Sequence, residues 1–441
     1  MKLSPRFKPL LIAFAVFNGL NGIRRIVESF NSQNLHKKDF IQMYIAAKSV
    51  LGDVNPYLPM PELAERWIGV WRYSDLSHPT PHTPFSGLLV SPLGFLSYEA
   101  AAVAWLLFEL ACFLATVVVL LRWWGGGFGA GAVVVAFFLL LGWPPVMQDL
   151  WYGQYSSSLL LLLTLAWLAL REGKDATGGA ILGLMVAMKL TAWPVILFLA
   201  LARRWRSVAA SGIVIVLANL AAMAVVGFEV VRDYYLRVGS LVAAMYRHWD
   251  TNLSSWTFGS RLFAGIRGNF FAPPLWASPG LARVMTFVIP AVVLLIGLWM
   301  ARRARSFDTA FGVLAGVGIL TTPIVWTHTL VFALIPMAVL ARRLHEGGGD
   351  RKAVYFFLIL AALLSVPQLA YASLAYWFTT GYVNGEIPIV PFAAGWISLI
   401  PIAGLLGILW MLWRSDSAAL PAGRGTDSAA LFAGRGADSI T

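Results

Sequence analysis

The stretch that decides the architecture is residues 171–206, REGKDATGGAILGLMVAMKLTAWPVILFLALARRWR. Between Lys174 and Arg203 the run is apolar apart from a few polar positions, of which Lys189 stands at mid-length. A bilayer core about 30 Å thick takes roughly 20 helical residues, so this run is too long for one plain crossing and short for two. Its flanks decide the reading: Arg171 and Lys174 precede it, and Arg203, Arg204 and Arg206 follow it. Basic residues mark cytoplasmic ends, so both ends belong on one side. The chain must go in and come back, turning near Lys189-Leu190-Thr191-Ala192-Trp193-Pro194 as two short helices. Broken or re-entrant helices are tolerated at membrane depth only where protein or a water-filled cavity covers the freed backbone.

The rest of the chain has the same character. Its residues are 59% hydrophobic and 12% charged, against about 45–50% and about 25% for soluble domains, which excludes an ordinary soluble enzyme. Long unbroken apolar runs exclude a β-barrel, which needs short alternating segments. Cys112 stands alone inside an apolar run, so there is no disulfide scaffold. Crossings are expected at about 8–28, 98–121, 128–147, 155–171, 206–226, 283–301, 309–325, 328–341, 352–374 and 393–413. With the hairpin, the expectation is an all-α polytopic membrane protein of about 10–12 transmembrane or re-entrant helices.

Charge sets the orientation. The formal net charge of +12 suggests no nucleic-acid partner, because the basic residues sit in short clusters between apolar segments. Lys2, Arg6 and Lys8, then Arg122, then Arg302, Arg303 and Arg305, then Arg342, Arg343, Arg351 and Lys352, and finally Arg414 all fall on one side. Both termini are therefore expected in the cytoplasm, with Arg24-Arg25 at the outer end of the first span as the one dissent. That arginine pair, and the lack of a small-x-small site, argue against a cleaved signal peptide. The long connections, 29–97, 227–282 and 375–392, then lie outside the cytoplasm. Residues 1–414 read as a single transmembrane domain. Residues 415–441, in which Asp416-Ser417-Ala418-Ala419-Leu420 returns as Asp427-Ser428-Ala429-Ala430-Leu431, read as a disordered repeat tail.

An ionisable residue inside a membrane is a functional hypothesis by default, and of the twenty-one acids only Glu109 falls well inside a span. About half of the acids crowd the outer side, so any chemistry is expected at the outer interface. Asp39 has the most particular setting, opening a helical pattern that places Phe40, Tyr44 and Ala47 on one face and ends at Gly52, with Asn55-Pro56-Tyr57 beyond. Two readings stand side by side: Asp39 with Gln42 as a capping box, or a carboxylate held at the depth of a lipid headgroup. Lys189 is placed either to bind a phosphate or to snorkel, and His328, after Thr321-Thr322-Pro323-Ile324-Val325-Trp326-Thr327, is either structural or part of a site. His78, His82 and His248 lie in connections without metal-ligand spacing. No Walker loop, dinucleotide fingerprint, zinc motif or nucleophile elbow is present, which points to a lipid-borne donor.

Five stretches, spanning roughly residues 10–345, carry a family likeness. They are Asp39-Phe40 through Tyr44 to Asn55-Pro56-Tyr57; Thr83-Pro84-Phe85 to Ser91-Pro92-Leu93; Gly153-Gln154 with Gly178-Gly179 through Lys189; Asn252-Leu253-Ser254 with Arg261-Leu262; and Pro323-Ile324-Val325-Trp326-Thr327-His328. In this order they resemble the GT-C superfamily of integral-membrane glycosyltransferases, and within it family 87, the polyprenyl-phosphate-mannose-dependent α-mannosyltransferase-like proteins. The sequence departs from the family where Leu190 rather than proline follows Lys189, and where Tyr155-Ser156 follows Gln154 in place of a common asparagine.

The resemblance implies an inverting displacement at the extracytoplasmic face. Asp39 is the implied base, Lys189 and His328 the phosphate-side groups, and Gln154 and Tyr44 substrate contacts. The implied partners are a polyprenyl-phosphate sugar donor, a glycolipid or glycan acceptor and the lipid bilayer. No cofactor is implied, since the lipid-linked sugar is a substrate and the sequence shows no carboxylate cluster to require a metal. Transfer of arabinofuranose or another sugar, a lipid or polysaccharide transporter dependent on Glu109, and a silent scaffold remain open at this stage.

Overall fold

The structure, a computed structural model, describes residues 7–69, 78–125, 127–347 and 350–418. Lys2, Arg6 and residues 419–441, which hold most of the expected tail, lie outside the described residues. Helix α1 (Phe7–Glu28) leads into a long connection holding α2 (Phe40–Leu51), α3 (Met60–Ile68) and α4 (Pro84–Val90). Helix α5 (Tyr98–Trp124) is followed by α6 (Ala130–Leu141), α7 (Pro144–Tyr152), α8 (Ser156–Arg171), α9 (Asp175–Met188), α10 (Trp193–Leu201) and α11 (Trp205–Val226). The second long connection carries α12 (Phe228–Asp233), a π-helical turn over Tyr234–Val238, α13 (Gly239–Tyr246) and α14 (Phe258–Phe263). Then come α15 (Pro279–Arg303), α16 (Phe307–Thr321), a 3-10 segment Thr327–Ala333 running into α17 (Leu334–Glu346), α18 (Arg351–Leu364), α19 (Gln368–Tyr376) and α20 (Ile400–Ala418).

The chain is a mostly helical, polytopic membrane protein. Among the described residues six helices are long and apolar enough to cross a bilayer, or seven if the pair α6 and α7 counts as one broken span bent by 74°. Pro144 and Pro145 open α7, where neither can continue the hydrogen-bond ladder of the helix before it. The other expected crossings are shorter. Helices α8 and α16 have 16 and 15 residues, about 24 and 22 Å at 1.5 Å per residue, less than a hydrocarbon core. The run expected at 352–374 divides at Ser365-Val366-Pro367 into α18 and α19. One departure from an all-helical chain is the antiparallel hairpin β1 (Gly381–Val383) and β2 (Ile387–Ile389), turned by Asn384 and Gly385, both at positive φ.

The hairpin between Lys174 and Arg203 forms. Helix α9 runs out to Lys189, a 3-10 turn Leu190–Ala192 reverses the chain, and α10 returns with Pro194 in its first turn, where a missing N–H costs nothing. Asp175 at the start of α9 pairs with Arg204 just beyond α10, and the same guanidinium donates to Leu170 O at 2.7 Å. The two ends of the excursion are thus in contact. Small residues let α9 lie against α11: a Cβ at Gly183 would come within 2.9 Å of Ser211 Cα, and Ser211 Oγ donates to Gly179 O.

The basic clusters gather at this end of the bundle. Arg171 and Trp167 donate to Asp308, Arg342 to Trp123 O, and Arg343 to Ser306 Oγ and Asp416. Arg24, the dissenting charge, pairs with Glu28 one turn along α1. The core centres on α8 and α16; every residue of α16 from Thr309 to Thr321 is buried.

Candidate active site

The far ends of the short helices converge opposite the basic end. Asp39 begins α2 in helical conformation, φ −63° and ψ −18°, and its side chain makes no capping bond. Thr83, Ser97, Ser278 and Ser306, by contrast, all accept the backbone N–H three residues on, as capping residues do. The Asp39 carboxylate instead accepts a hydrogen bond from Gln154 Nε2 at 2.8 Å. The capping-box reading is therefore not realised.

Gly153 makes this contact possible. It ends α7 at φ +67°, and a Cβ there would lie 2.8 Å from Phe40 Cβ, so only glycine fits the turn and the close approach together. Its carbonyl accepts from Trp105 Nε1 at 3.0 Å. Lys38, one residue before Asp39, fixes the other side: its buried ammonium donates to Ser29 Oγ and Trp151 O, both at 2.6 Å, and lies over the Phe30 ring. Burial lowers that lysine's pKa to about 7. The carboxylate is thus set between α1, α2 and α7 with little freedom.

Its electrostatics follow from the surroundings. Asp39 keeps part of its surface open, but the protein packed around the carboxylate desolvates it and raises its pKa to about 6, offset in part by hydrogen bonds from Gln154 and Gln42 and by the charge of Lys189. Tyr98, Tyr152 and Tyr246 also lie within reach of its charge.

Of the residues singled out in the sequence, Asp39, Gln154, Lys189 and His328 are brought together. Lys189 Nζ sits over the Tyr155 ring, 5.6 Å from its centre, and lies within electrostatic reach of Asp39, His82 and His328. His328 is buried on the 3-10 segment after α16. The chain leaves α16 there because the second long connection takes up the helix's last carbonyls: Ser255 Oγ donates to Leu320 O, Trp256 Nε1 to Thr321 O and Ser254 Oγ to Thr322 O. Asn252 clamps the same turn through Pro323 O and Val325 N, and buried Arg261 ties the connection to Gly395 O and Asp250 O. The motif Asn252-Leu253-Ser254 with Arg261 thus positions His328.

Tyr44 is not part of this group. Its hydroxyl donates to Leu96 O at 2.8 Å and its ring packs on Phe40 and Tyr98. Glu109 is engaged as well: it accepts Ser158 N at 2.9 Å while Asp149 accepts Ser156 N and Ser157 N, so two carboxylates hold the start of α8. Sequence reading named His82 only as a connection histidine without metal-ligand spacing; its neighbour Thr83, at the start of a quoted stretch, was the available hint. Among the described residues no three His, Cys, Asp or Glu side chains converge as a metal site. An apolar cavity of about 360 Å³ between α1, α5 and α6 is lined by Ile23, Leu110, Phe137 and their neighbours, carries no titratable group and stands apart from these residues.

Comparison with protein families matches residues 81–325, more than half of the chain, to Glycosyltransferase family 87. Gln154, Lys189 and His82 lie inside the matched region, Asp39 and Tyr44 precede it, and His328 follows its end. Neither the curated proteins nor the solved structures give a match. With a membrane-embedded helical bundle and a match over most of its central length, the chain belongs to glycosyltransferase family 87 and is a glycosyltransferase.

Proposed function

We propose that the chain transfers a sugar, mannose in the reading its family resemblance favours, from a polyprenyl-phosphate donor to a hydroxyl of a lipid or glycan acceptor, with inversion at the anomeric carbon. Asp39 removes the acceptor proton, the acceptor oxygen attacks the anomeric carbon, and the bond from that carbon to the phosphate oxygen breaks to release polyprenyl phosphate. Lys189 and His328 take up the charge on the departing phosphate. Gln154 orients the base, and Tyr44 packs the helix that carries it. The observation that carries this reading is a carboxylate at a helix start that leaves the helix uncapped, is held by an amide and stands within reach of a lysine charge.

The orientation belongs to the same proposal. Basic ends mark the cytoplasm, so the site opens to the extracytoplasmic face of the cell membrane and both termini are cytoplasmic. Helices α8 and α16 rise only about 24 and 22 Å from that basic end, so in this orientation Gln154 and His328 stand short of the far edge of a hydrocarbon core about 30 Å thick. Membership of a glycosyltransferase family counts against the transporter alternative. Arabinofuranose or another sugar remains the alternative donor.

The test is transfer by the purified protein from synthetic polyprenyl-phosphate mannose to a panel of lipid acceptors, with polyprenyl-phosphate arabinofuranose in parallel. Mannose transfer that disappears in Asp39→Asn while donor binding persists supports the proposal. Transfer that survives the substitution removes Asp39 as base, and transfer of arabinose alone replaces the donor.

A further inference from the structure

His82 is held from four sides. Tyr57 Oη donates to its carbonyl at 2.8 Å, and Tyr234 Oη donates to Pro81 O at 2.9 Å. Next in the chain, Thr83 Oγ1 donates to Ala187 O at 2.7 Å and Ser86 Oγ to Met188 O at 3.0 Å, which fastens the start of α4 to the end of α9 directly before Lys189. The ring's Nδ1 lies 3.1 Å from Tyr155 Oη. Its Nε2, in a side chain more than nine-tenths buried, has no partner. Buried polar atoms are nearly always hydrogen-bonded, so a nitrogen left open in so constrained a ring asks for a ligand.

The shorter of two Tyr155 contacts favours one tautomer. Tyr155 has one proton, and its nearer acceptor is His82 Nδ1 at 3.1 Å rather than Met188 O at 3.4 Å. A proton delivered to Nδ1 leaves the ring's own hydrogen on Nε2. The ring stays neutral, because burial and then the Lys189 charge lower its pKa to about 3. Lys189 lies over the same Tyr155 ring, and His328 is within electrostatic reach of both Lys189 and His82. A neutral N–H donor beside an ammonium suits an anionic oxygen better than a hydroxyl.

We propose that His82 is a further substrate-contact residue, its Nε2–H donating to a phosphate oxygen of the polyprenyl-phosphate group together with Lys189 and His328. The assignment rests on the transfer reading above and names a contact that the sequence did not. The test measures binding of undecaprenyl phosphate, and separately of inorganic phosphate, to the purified full-length protein in detergent micelles. An asparagine amide overlays Nδ1 of histidine and a glutamine amide overlays Nε2, so the two variants separate the roles. His82→Asn, which keeps only the Tyr155 bond, weakens binding of the lipid phosphate about tenfold or more, the scale of a lost hydrogen bond to a charged group. His82→Gln brings it back to within about threefold. Tyr155→Phe, which leaves the histidine but frees its tautomer, weakens binding by a smaller factor and reports on the same contact even where a His82 variant fails to fold.

Binding by His82→Asn as tight as by the wild type overturns the assignment and leaves the transfer reading standing. Equal competition by inorganic phosphate overturns the lipid-phosphate ligand. A wild-type protein that binds no undecaprenyl phosphate overturns the transfer reading and this contact with it.

Discussion

At the basic end of the bundle, Arg204 meets Asp175, Arg171 meets Asp308 and Arg343 meets Asp416, each pair joining two helices. At the other end Asp39, Lys189, His82 and His328 share a space in which Asp39 is held by the amides of Gln154 and Gln42 rather than by an ion pair. Buried polar atoms there, Gln42 Oε1 and His82 Nε2, have no partner. Charges of both signs occur at both ends, so composition does not separate them. Where charges pair across helices, the work is to fasten helix ends together. Where charged groups are close but unmatched, the desolvation is tolerated because a substrate completes the set.

The largest effect expected is at Asp39. Asp39→Asn keeps the volume and a partner for Gln154 but cannot take a proton, so kcat for sugar transfer falls by about 10²–10⁴ with the thermal midpoint little changed. Single-turnover transfer with saturating donor measures it. Next is Lys189→Met, which keeps the stem over Tyr155 and removes the charge. Loss of one group stabilising the leaving oxygen lowers kcat by about 10²–10³, and equal rates in the two proteins would make Lys189 a snorkelling side chain.

A smaller and more specific effect concerns pH. The base works only when ionised, so transfer rises with pH through about 6 and levels above it. Gln154 stabilises the ionised form; in Gln154→Leu the pKa of Asp39 moves further up and the acid limb of the rate profile shifts to higher pH. A limb that stays in place would separate Gln154 from the base. Gly153→Ala forces a side chain into a left-handed turn against Phe40, which destabilises by about 1–3 kcal/mol and loosens the same hydrogen bond.

The contrast between the ends also explains what the sequence disclosed. The paired end was legible: clusters such as Arg171-Lys174 and Arg203-Arg204 made the Lys189 excursion a hairpin, and the contact of Asp175 with Arg204 is that hairpin closed. Hydropathy reports length and polarity but not depth, so α8 and α16 read as ordinary crossings although they stop short of one. Pro367, which disfavours a helix in the residue before it, was the signal that 352–374 would divide. At the site, Asp39 and Lys189 stood out because a charge beside an apolar run is rare. Whether Asp39 caps its helix depends on a side-chain direction set by Gly153 and Gln154, over a hundred residues away, and no local pattern carries that. His82 was hidden for the same reason, since its meaning lies in an unpaired nitrogen rather than in its neighbours along the chain.

The least effect is expected at the basic end, and it tests the comparison most sharply because the atoms resemble those at the site. Arg204 and Asp175 are only partly buried, and ion pairs of this kind contribute about 1 kcal/mol or less. Arg204 also donates to Leu170 O from its far nitrogen and lies over the Phe307 ring, so Arg204→Gln keeps a donor toward Asp175 at the Nε position but loses the charge and those two contacts. The expected result is a fall of a few degrees or less in the thermal midpoint, larger at low salt than at high salt because the pair is screened, with kcat within about twofold of wild type. A large loss of transfer with the midpoint unchanged would mean that the hairpin's closed end transmits its geometry along α9 to Lys189, and the two ends would then be one device rather than a fastening and a site.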